Sequence, residues 1–182
     1  YNERRKQLLK VKPNRGHELL AELEKNFHVT VVTQNIDNLH ERAGSSHIIH
    51  LHGELTKVCS SRDPHNPHYI KELKPEEYEV KMGDKAGDGT QLRPFIVWFG
   101  EAVPEIETAI RYVEKADIFV IIGTSLNVYP AAGLLHYVPR GAEVYLIDPK
   151  PVDTHTSRSI HVLRKGASEG VEELKQLLTP AP

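Results

Sequence analysis

Length, composition and charge restrict the classes of protein to which this chain can belong. Its 182 residues are enough to bury a real core in one ordinary domain that carries a small insertion. The formal net charge of −2 argues against the basic surface that a nucleic-acid partner requires. No apolar run approaches a membrane span, no leader resembles a signal peptide, and Cys59 is the single cysteine. We therefore expect a soluble, cytoplasmic protein with neither a nucleic-acid nor a membrane partner.

Hydrophobic periodicity and capping residues predict helices and strands in alternation. A polar helix from Asn2 to about Lys10 ends before Pro13, and Asn14 then caps a second helix that runs to Glu24. The other predicted elements are strands over 29–33, 48–51, 95–99, 118–122 and 143–147, a short helix that ends at Gly44, and helices over 104–115, 130–138 and 169–178.

The alternation of strands with helices indicates βαβ units. We therefore predict the α/β fold class, with a Rossmann-type, mostly parallel sheet that carries helices on both faces. Residues 57–91 contain several prolines and glycines without a convincing period, which is typical of an inserted surface module. We assign residues 11–56 and 92–182 to the Rossmann-type domain and residues 1–10 to the end of a helical module.

Polar residues cluster where three predicted strands end. Gln34–Asp37, Gly123–Ser125 and Asp148–Pro149 each follow an apolar run. Right-handed crossovers place such strand ends at one edge of a sheet, so we expect a common crevice there. A glycine-hydroxyl turn such as Gly123-Thr124-Ser125 suits phosphate or ribose through its backbone N–H groups, but by itself this sequence is more often an ordinary βα turn.

Taken together, these motifs resemble the sirtuin family, the NAD-dependent protein-lysine deacylases. The resemblance spans nearly the whole chain and rests on Lys12-Pro13-Asn14 with His17 and Leu20, Thr33–Asp37, Leu51-His52-Gly53-Glu54, Arg93-Pro94, Val97–Glu101, Gly123-Thr124-Ser125 and Gly166-Ala167. It implies NAD as co-substrate and acylated lysine side chains of proteins as partners. In that reaction nicotinamide leaves, and the acyl oxygen attacks C1′ of the ribose.

The resemblance also implies roles for single residues. Asn35 and Asp37 match the residues that orient the nicotinamide ribose and its carboxamide end, with Gln34 and Ile36 beside them. His52 matches the general base, a task that imidazole suits because it exchanges protons near neutral pH. The residues that match the family's binding site for the adenosine half of NAD are Gly123, Thr124, Ser125, Asp148 and Ala167. Asp148 stands where asparagine is expected, and its carboxylate can still accept a hydrogen bond from a ribose hydroxyl.

The clustering of His47, His50 and His52 raises the alternative of a metal site. We do not favour it, because His47 has the wrong strand parity and no acidic or thiol ligand completes the set.

Two further segments match regions that bind the acylated peptide. The segment Val97, Trp98, Phe99, Gly100 and Glu101 matches the strand-like stretch that pairs with the substrate backbone. Trp98 and Phe99 either wall the acyl-lysine tunnel or belong to the core. Tyr1 and Arg4 match the Tyr-x-x-Arg signature of sirtuins that remove succinyl, malonyl or glutaryl groups. A phenol and a guanidinium at positions i and i+3 of a helix can grip a carboxylate as a buried pair, and a frayed, solvated terminus is the competing interpretation.

The chain departs from the family pattern at two places. The glycine-rich Gly-Ala-Gly-x-Ser motif and the downstream Pro-x-Phe-Arg belong before Tyr1, so we expect a chain that lacks part of the NAD-binding loop. A structural zinc needs four ligands, whereas Cys59 stands with only Asp63, His65 and His68 nearby, so no zinc is expected. Two other functions stay open: non-catalytic binding of NAD, ADP-ribose or a peptide, and mono-ADP-ribosyl transfer.

Overall fold

The computed structural model describes residues 1–124 and 131–179 and has an α/β fold. The chain divides into two compact units: the first contains Tyr1–Lys12, Thr33–Leu39 and His50–Ala102, and the second contains Pro13–Val32, His40–Ile49 and Val103–Pro182. The helices are α1 (Asn2–Leu8), α2 (Arg15–Glu22), α3 (Leu39–Ala43), α4 (Ile106–Val113) and α5 (Ala167–Leu178). The strands are β1 (Val31–Thr33), β2 (Ile48–His50), β3 (Gly53–Ser60), β4 (Lys71–Glu72), β5 (Leu92–Ile96), β6 (Ile118–Ile122), β7 (Glu143–Ile147) and β8 (His161–Leu163). Short 3₁₀ helices cover Leu23–Lys25, Pro67–Tyr69, Pro75–Glu77 and Ala131–Tyr137.

The second unit contains the parallel sheet that the sequence predicts. Its strand order is β6-β7-β8, and β6 pairs with β7 from Ile118↔Glu143 to Ile122↔Ile147. The apolar side chains of β7 pack against α2 and α5, and the fully packed members of this core are Leu19, Tyr145, Ile147, Val171 and Leu174. Strand β8 was not predicted, because three residues with only two apolar side chains give no readable period.

Local capping signals in the second unit are confirmed. The Asn14 side chain accepts the N–H of His17 at 2.9 Å, and His17 Nδ1 accepts the N–H of Asn14 at 3.0 Å. This capping box gives His17 a structural role at the start of α2. Gly44 follows α3 with φ of 108°, which is the left-handed conformation of a helix C-cap.

The first unit is built on an antiparallel sheet that the sequence does not reveal. Its strand order is β4-β3-β5, and β3 starts before residue 57 and so crosses the predicted start of the inserted module. The strand predicted over 95–99 is wrong beyond Ile96: β5 covers Leu92–Ile96, and the chain turns at Phe99 and Gly100. The apolar run 97–99 is typical of a strand in the sequence. In the structure β5 pairs with β3, and that pairing ends at Gly53↔Ile96, so residues 97–99 have no strand of the described chain to pair with there.

Several predicted bounds shift by a few residues. Helix α1 ends at Leu8, β1 begins at Val31, β2 ends at His50 and α4 covers Ile106–Val113. The helix predicted over 130–138 is a 3₁₀ helix from Ala131 to Tyr137, and residue 130 lies outside the described residues. Among the described residues, every helix is too short or too polar to cross a bilayer.

Candidate active site

Most of the predicted site residues of the first unit line one cavity. Its volume is about 390 Å³, which lies within the range of small-molecule pockets. The wall consists of Tyr1, Arg4, Gln34, Asn35, Ile36, Asp37, His52, Ile96 and Val97. Amide, carboxylate and imidazole groups therefore share a single cavity with a phenol and a guanidinium. Ile96 is a lining residue that the sequence did not single out, since an apolar residue at a strand end carries no chemical signal.

Short-range hydrogen bonds shape the segment 34–37 at the cavity wall. The hydroxyl of Thr33 accepts the N–H of Asn35 at 3.0 Å, and Asp37 Oδ1 accepts the N–H of Leu39 at 3.0 Å. Such side-chain-to-backbone bonds two residues on bend the chain without a regular element. The side chains of Gln34, Asn35 and Asp37 are thereby presented from a turn whose backbone is held in place.

His52 is fixed through its backbone. Its carbonyl oxygen accepts the N–H of Val97 at 2.9 Å, and Gly53, the next residue, opens β3 opposite Ile96. Gly53 has φ of 90°, and a Cβ there would lie 2.1 Å from the carbonyl oxygen of Phe95. Only glycine allows β3 and β5 to approach so closely at this point. Within the described part of the chain, no side chain hydrogen-bonds the half-buried His52 imidazole, so its nitrogens can face a ligand.

His50 has a different environment from His52. Its Nδ1 lies 3.2 Å from the carbonyl oxygen of Asn35, and its Nε2 lies 3.8 Å from a carboxylate oxygen of Glu54. Glu54 also pairs with Lys57 at 2.8 Å. His50 is buried and connects the 34–37 segment to β3, so we interpret it as structural. The sequence argument that no acidic ligand completes a set with these histidines overlooked Glu54, whose carboxylate approaches the His50 ring.

Tyr1 and Arg4 reach the cavity from α1. The carbonyl oxygen of Tyr1 accepts the N–H of Arg5 at 2.9 Å, so Tyr1 is the N-cap of α1. The guanidinium carbon of Arg4 lies 5.7 Å from the centre of the Tyr1 ring, which is the outer range of a cation–π contact. The prediction of a buried pair is wrong, because both side chains are exposed.

The segment Val97–Glu101 forms a turn clamped by Arg93. This guanidinium donates to both carboxylate oxygens of Glu101 at 3.0 Å and lies 3.7 Å from the centre of the Trp98 ring. Glu101 also accepts the N–H of Trp98 at 2.7 Å, and Gly100 closes the turn with φ of 84°. Hydrogen bonds from Arg93 hold the pKa of Glu101 down to about 2. Trp98 is 42% exposed and Phe99 is fully exposed, so the interpretation of either as core is wrong.

The residues predicted to bind the adenosine half of NAD follow the parallel strands of the second unit. The N–H of Gly123, at φ of 62°, donates to the carbonyl oxygen of Ile147 at 3.1 Å. Asp148 Oδ1 accepts the N–H of Lys150 at 2.8 Å, and Ala167 is the first residue of α5. Gly123 and Asp148 thus lie at the same edge of β6 and β7, with Thr124 next to Gly123. Ser125 lies outside the described residues.

The inserted segment offers a poor set of zinc ligands. Cys59 is fully buried in β3, where its thiol lies 3.7 Å from the carbonyl oxygen of Pro94. Burial raises the pKa of this thiol to about 11, whereas zinc binds the thiolate. Asp63, His65 and His68 are all exposed, so they do not converge on the buried sulfur. These residues do not fit a closed tetrahedral site.

The parallel sheet, its strand-end turns and the polar cavity define an α/β protein of the Rossmann type. Comparison with known proteins gives its family: the Sir2 family model matches residues 1–130. An NAD-dependent protein deacylase of Bacteroides thetaiotaomicron is 95% identical over 182 residues, which cover 100% of this chain and 78% of that protein. The NAD-dependent protein deacylase of Helicobacter pylori strain 26695 is 48% identical over 174 residues, 96% of this chain and 73% of that protein.

Solved structures show the same relationship. A mutant Sir2 homologue in complex with ADP ribose superimposes with a TM-score of 0.83 at 33% identity, covering 100% of this chain and 74% of that one. A complex of Sir2 with a p53 peptide and NAD⁺ superimposes with a TM-score of 0.77 at 30% identity, covering 94% and 72%. The chain therefore belongs to the Sir2 family, and the resemblance seen in its sequence is confirmed.

The close approach at Gly53 generates a stability prediction. Gly53→Ala should lose roughly 1–3 kcal/mol of unfolding free energy from the positive φ and a further 1–3 kcal/mol because the methyl group meets the Phe95 carbonyl. Gly83→Ala is the matched control, since Gly83 has φ of 99° and no atom lies within 4 Å of the place that its methyl group would take. Urea denaturation measures both. Equal losses in the two variants would show that the contact with β5 contributes nothing.

The Arg93–Glu101 pair generates a pH prediction. Because the pKa of Glu101 is lowered from 4.5 to about 2 in the folded protein, its stabilising effect is present above pH 4.5 and is lost as the pH falls toward 2. The difference in melting temperature between wild type and Glu101→Gln should be constant from pH 5 to 8 and shrink below about 4.5. The exposed Glu76→Gln serves as the control. A difference that persists undiminished at pH 2.5 would contradict the assignment.

Proposed function

We propose that this protein removes acyl groups from lysine side chains of proteins with consumption of NAD, and that it prefers succinyl- or malonyl-type acyl groups. The single observation that carries the proposal is the shared cavity: His52 and Asn35 line it together with Tyr1 and Arg4. Relatives at 95% and 48% identity are named NAD-dependent protein deacylases, which supports the reaction class.

The polar wall suits the nicotinamide end of NAD. The amides of Gln34 and Asn35 offer both donors and acceptors, and the Asp37 carboxylate offers acceptors, for a carboxamide and for ribose hydroxyls. Bound NAD supplies the ribose carbon that the acyl oxygen attacks. A carboxylate and oriented amide dipoles near that carbon favour the positive charge that the sugar develops. The held backbone of 34–37 limits how far these groups must reorganise during the reaction.

His52 is the residue for proton transfer. Its ring borders the cavity and has no side-chain partner among the described residues, so a hydroxyl of the bound sugar can donate to it. Accepting that proton increases the nucleophilicity of the hydroxyl oxygen. The backbone bond from Val97 and the close pairing at Gly53 fix the main chain that carries the ring, which limits how far the ring must move to meet the sugar hydroxyl.

Tyr1 and Arg4 account for the acyl preference. A guanidinium can bind a carboxylate through two parallel N–H donors, and a phenol adds a third. An acetyl group has no carboxylate and leaves these donors to water. Because both side chains are exposed, the loss on acetyl substrates is smaller than a buried pair would impose, so we expect some deacetylation as well.

The turn 97–101 is the proposed contact for the peptide around the acyl-lysine. The N–H groups of Val97 and Trp98 are already bonded to His52 and Glu101, so they do not serve the substrate. The exposed Phe99 ring supplies an apolar contact for the peptide. In the second unit, Gly123, Thr124, Asp148 and Ala167 are the proposed contacts of the adenosine half.

The reaction class is tested with protein expressed from its complete reading frame, NAD, and acetyl- or succinyl-lysine peptide. We expect release of nicotinamide and formation of O-acyl-ADP-ribose, both measured by mass spectrometry. His52→Ala should abolish O-acyl-ADP-ribose and multiple-turnover release of nicotinamide, while the exposed His68→Ala should leave both unchanged. ADP-ribose attached to protein would indicate a transferase instead, and binding of NAD without either product would indicate a binding protein.

The acyl preference is tested by Arg4→Met. We expect kcat/KM for the succinyl peptide to fall about 10- to 100-fold, because a charged hydrogen bond contributes roughly 1.5–3 kcal/mol. The value for the acetyl peptide should fall far less. Lys6→Met is the matched control, since Lys6 is exposed on the same helix and does not line the cavity. Equal losses on both peptides would remove the proposed preference.

A further inference from the structure

Strand β3 contains an irregularity beside the cavity. It pairs with β5 at Gly53↔Ile96 and Glu54↔Phe95, and pairing resumes at Val58↔Pro94. The intervening residues Leu55–Lys57 have no partner on β5. Such a bulge releases backbone groups from the ladder, and a buried strand must satisfy them by other means.

Leu55 uses its released groups to hold two separate segments of the cavity wall. Its N–H donates to the carbonyl oxygen of Ile36 at 2.7 Å, and its carbonyl oxygen accepts Nε of Arg5 at 2.8 Å. Leu55 is 4% exposed and belongs to the cluster formed with Leu8 and Ile96. One residue of β3 therefore connects α1, which carries Arg4 and is capped by Tyr1, with the segment 34–37.

Arg5 extends this connection into the inserted segment. Its Nη1 donates to Asn2 Oδ1 at 2.7 Å and to the carbonyl oxygen of Tyr78 at 3.2 Å. The Asn2 amide in turn makes two hydrogen bonds with the backbone of Val80, at 2.8 and 2.9 Å. Arg5 is only 4% exposed, so it is a buried cation whose removal would leave the Leu55 carbonyl unsatisfied.

Helical spacing places Asn2 and Arg5 on a different face of α1 from the residues that line the cavity. Asn2 and Arg5 share one face of α1, and Tyr1 and Arg4 share the adjacent one. Tyr1 and Arg4 are exposed and have long side chains, so the positions of their phenol and guanidinium groups depend on where the helix backbone lies. A displacement of about 1 Å in a recognition group is enough to weaken catalysis strongly.

We propose that Arg5 and Asn2 are positioning residues that determine acyl specificity, by holding α1 at a fixed distance from the segment 34–37. The proposal rests on the proposed deacylase function. An acyl chain of fixed length must reach Arg4 at one end while its carbonyl meets the NAD ribose at the other. The Leu55 bulge holds both sides of the cavity, because it bonds to Ile36 in the segment 34–37 and to Arg5 on α1. Tyr78 and Val80 of the inserted segment also hold α1 through their bonds to Arg5 and Asn2.

The experiment compares Asn2→Ala with wild type on succinyl- and acetyl-lysine peptides. We expect KM for the succinyl peptide to rise about fivefold or more with little change in kcat, and the acetyl reaction to change far less. Asn2→Asp keeps the acceptor for Arg5 and for the N–H of Val80, so it should restore most of the selectivity. Lys6→Ala, on the exposed face of α1, should behave as wild type.

Two results would overturn the proposal. One is wild-type kinetics on both peptides in Asn2→Ala, and the other is an equal loss of kcat/KM on both peptides, which marks a purely structural role. Arg5→Lys is the second variant, and its melting temperature is measured together with its ratio of succinyl to acetyl kcat/KM. If Arg5→Lys is folded and its ratio equals that of wild type, the proposal is contradicted. Failure of the proposed function is distinguishable, because wild type would then form no O-acyl-ADP-ribose with any acyl peptide.

Discussion

The close approach of β3 and β5 at Gly53 is the constraint on which the cavity depends. The space between the Gly53 Cα and the Phe95 carbonyl admits no side chain, and the positive φ at Gly53 redirects the chain immediately after His52. Because Val97 then donates to the His52 carbonyl, the strand pairing itself sets the position of the His52 backbone, from which the imidazole reaches the cavity. The Leu-His-Gly-Glu sequence thus determines the backbone geometry at Gly53 as well as supplying the His52 imidazole.

A second consequence of this pairing appears two residues further along β3. The bulge after Glu54 gives up ladder bonds with β5 and uses the freed groups of Leu55 for Ile36 and Arg5. Regular pairing would have left α1 and the 34–37 segment without a shared anchor. The cavity wall is therefore assembled from distant parts of the chain around one strand, and its flexible side chains sit on backbone that is firmly held.

The sequence was most informative where the signal is local. The Asn14 cap, the Gly44 C-cap and the apolar runs of β6 and β7 were predicted because each depends on neighbouring residues. The chemical groups of the cavity could also be named, since the family motif specifies them. The antiparallel sheet was missed because its strands lie among prolines and glycines and pair over long separations. Phe99 was misassigned because an apolar run cannot distinguish a strand from an exposed turn.

In the turn after β5, the Arg93–Glu101 ion pair keeps the apolar Phe99 ring exposed. Phe99 would lose water contacts if it folded back onto the protein, and hydrophobic burial favours that collapse. The Arg93 guanidinium opposes it by holding Glu101 and covering Trp98 at the same time, so both ends of the turn are fixed. Glu101 stays ionised throughout the neutral range because its pKa is so low, and the clamp is therefore independent of pH there. A turn fixed in this way holds the Phe99 ring at the surface and has little conformational entropy left to lose in any contact that the ring makes.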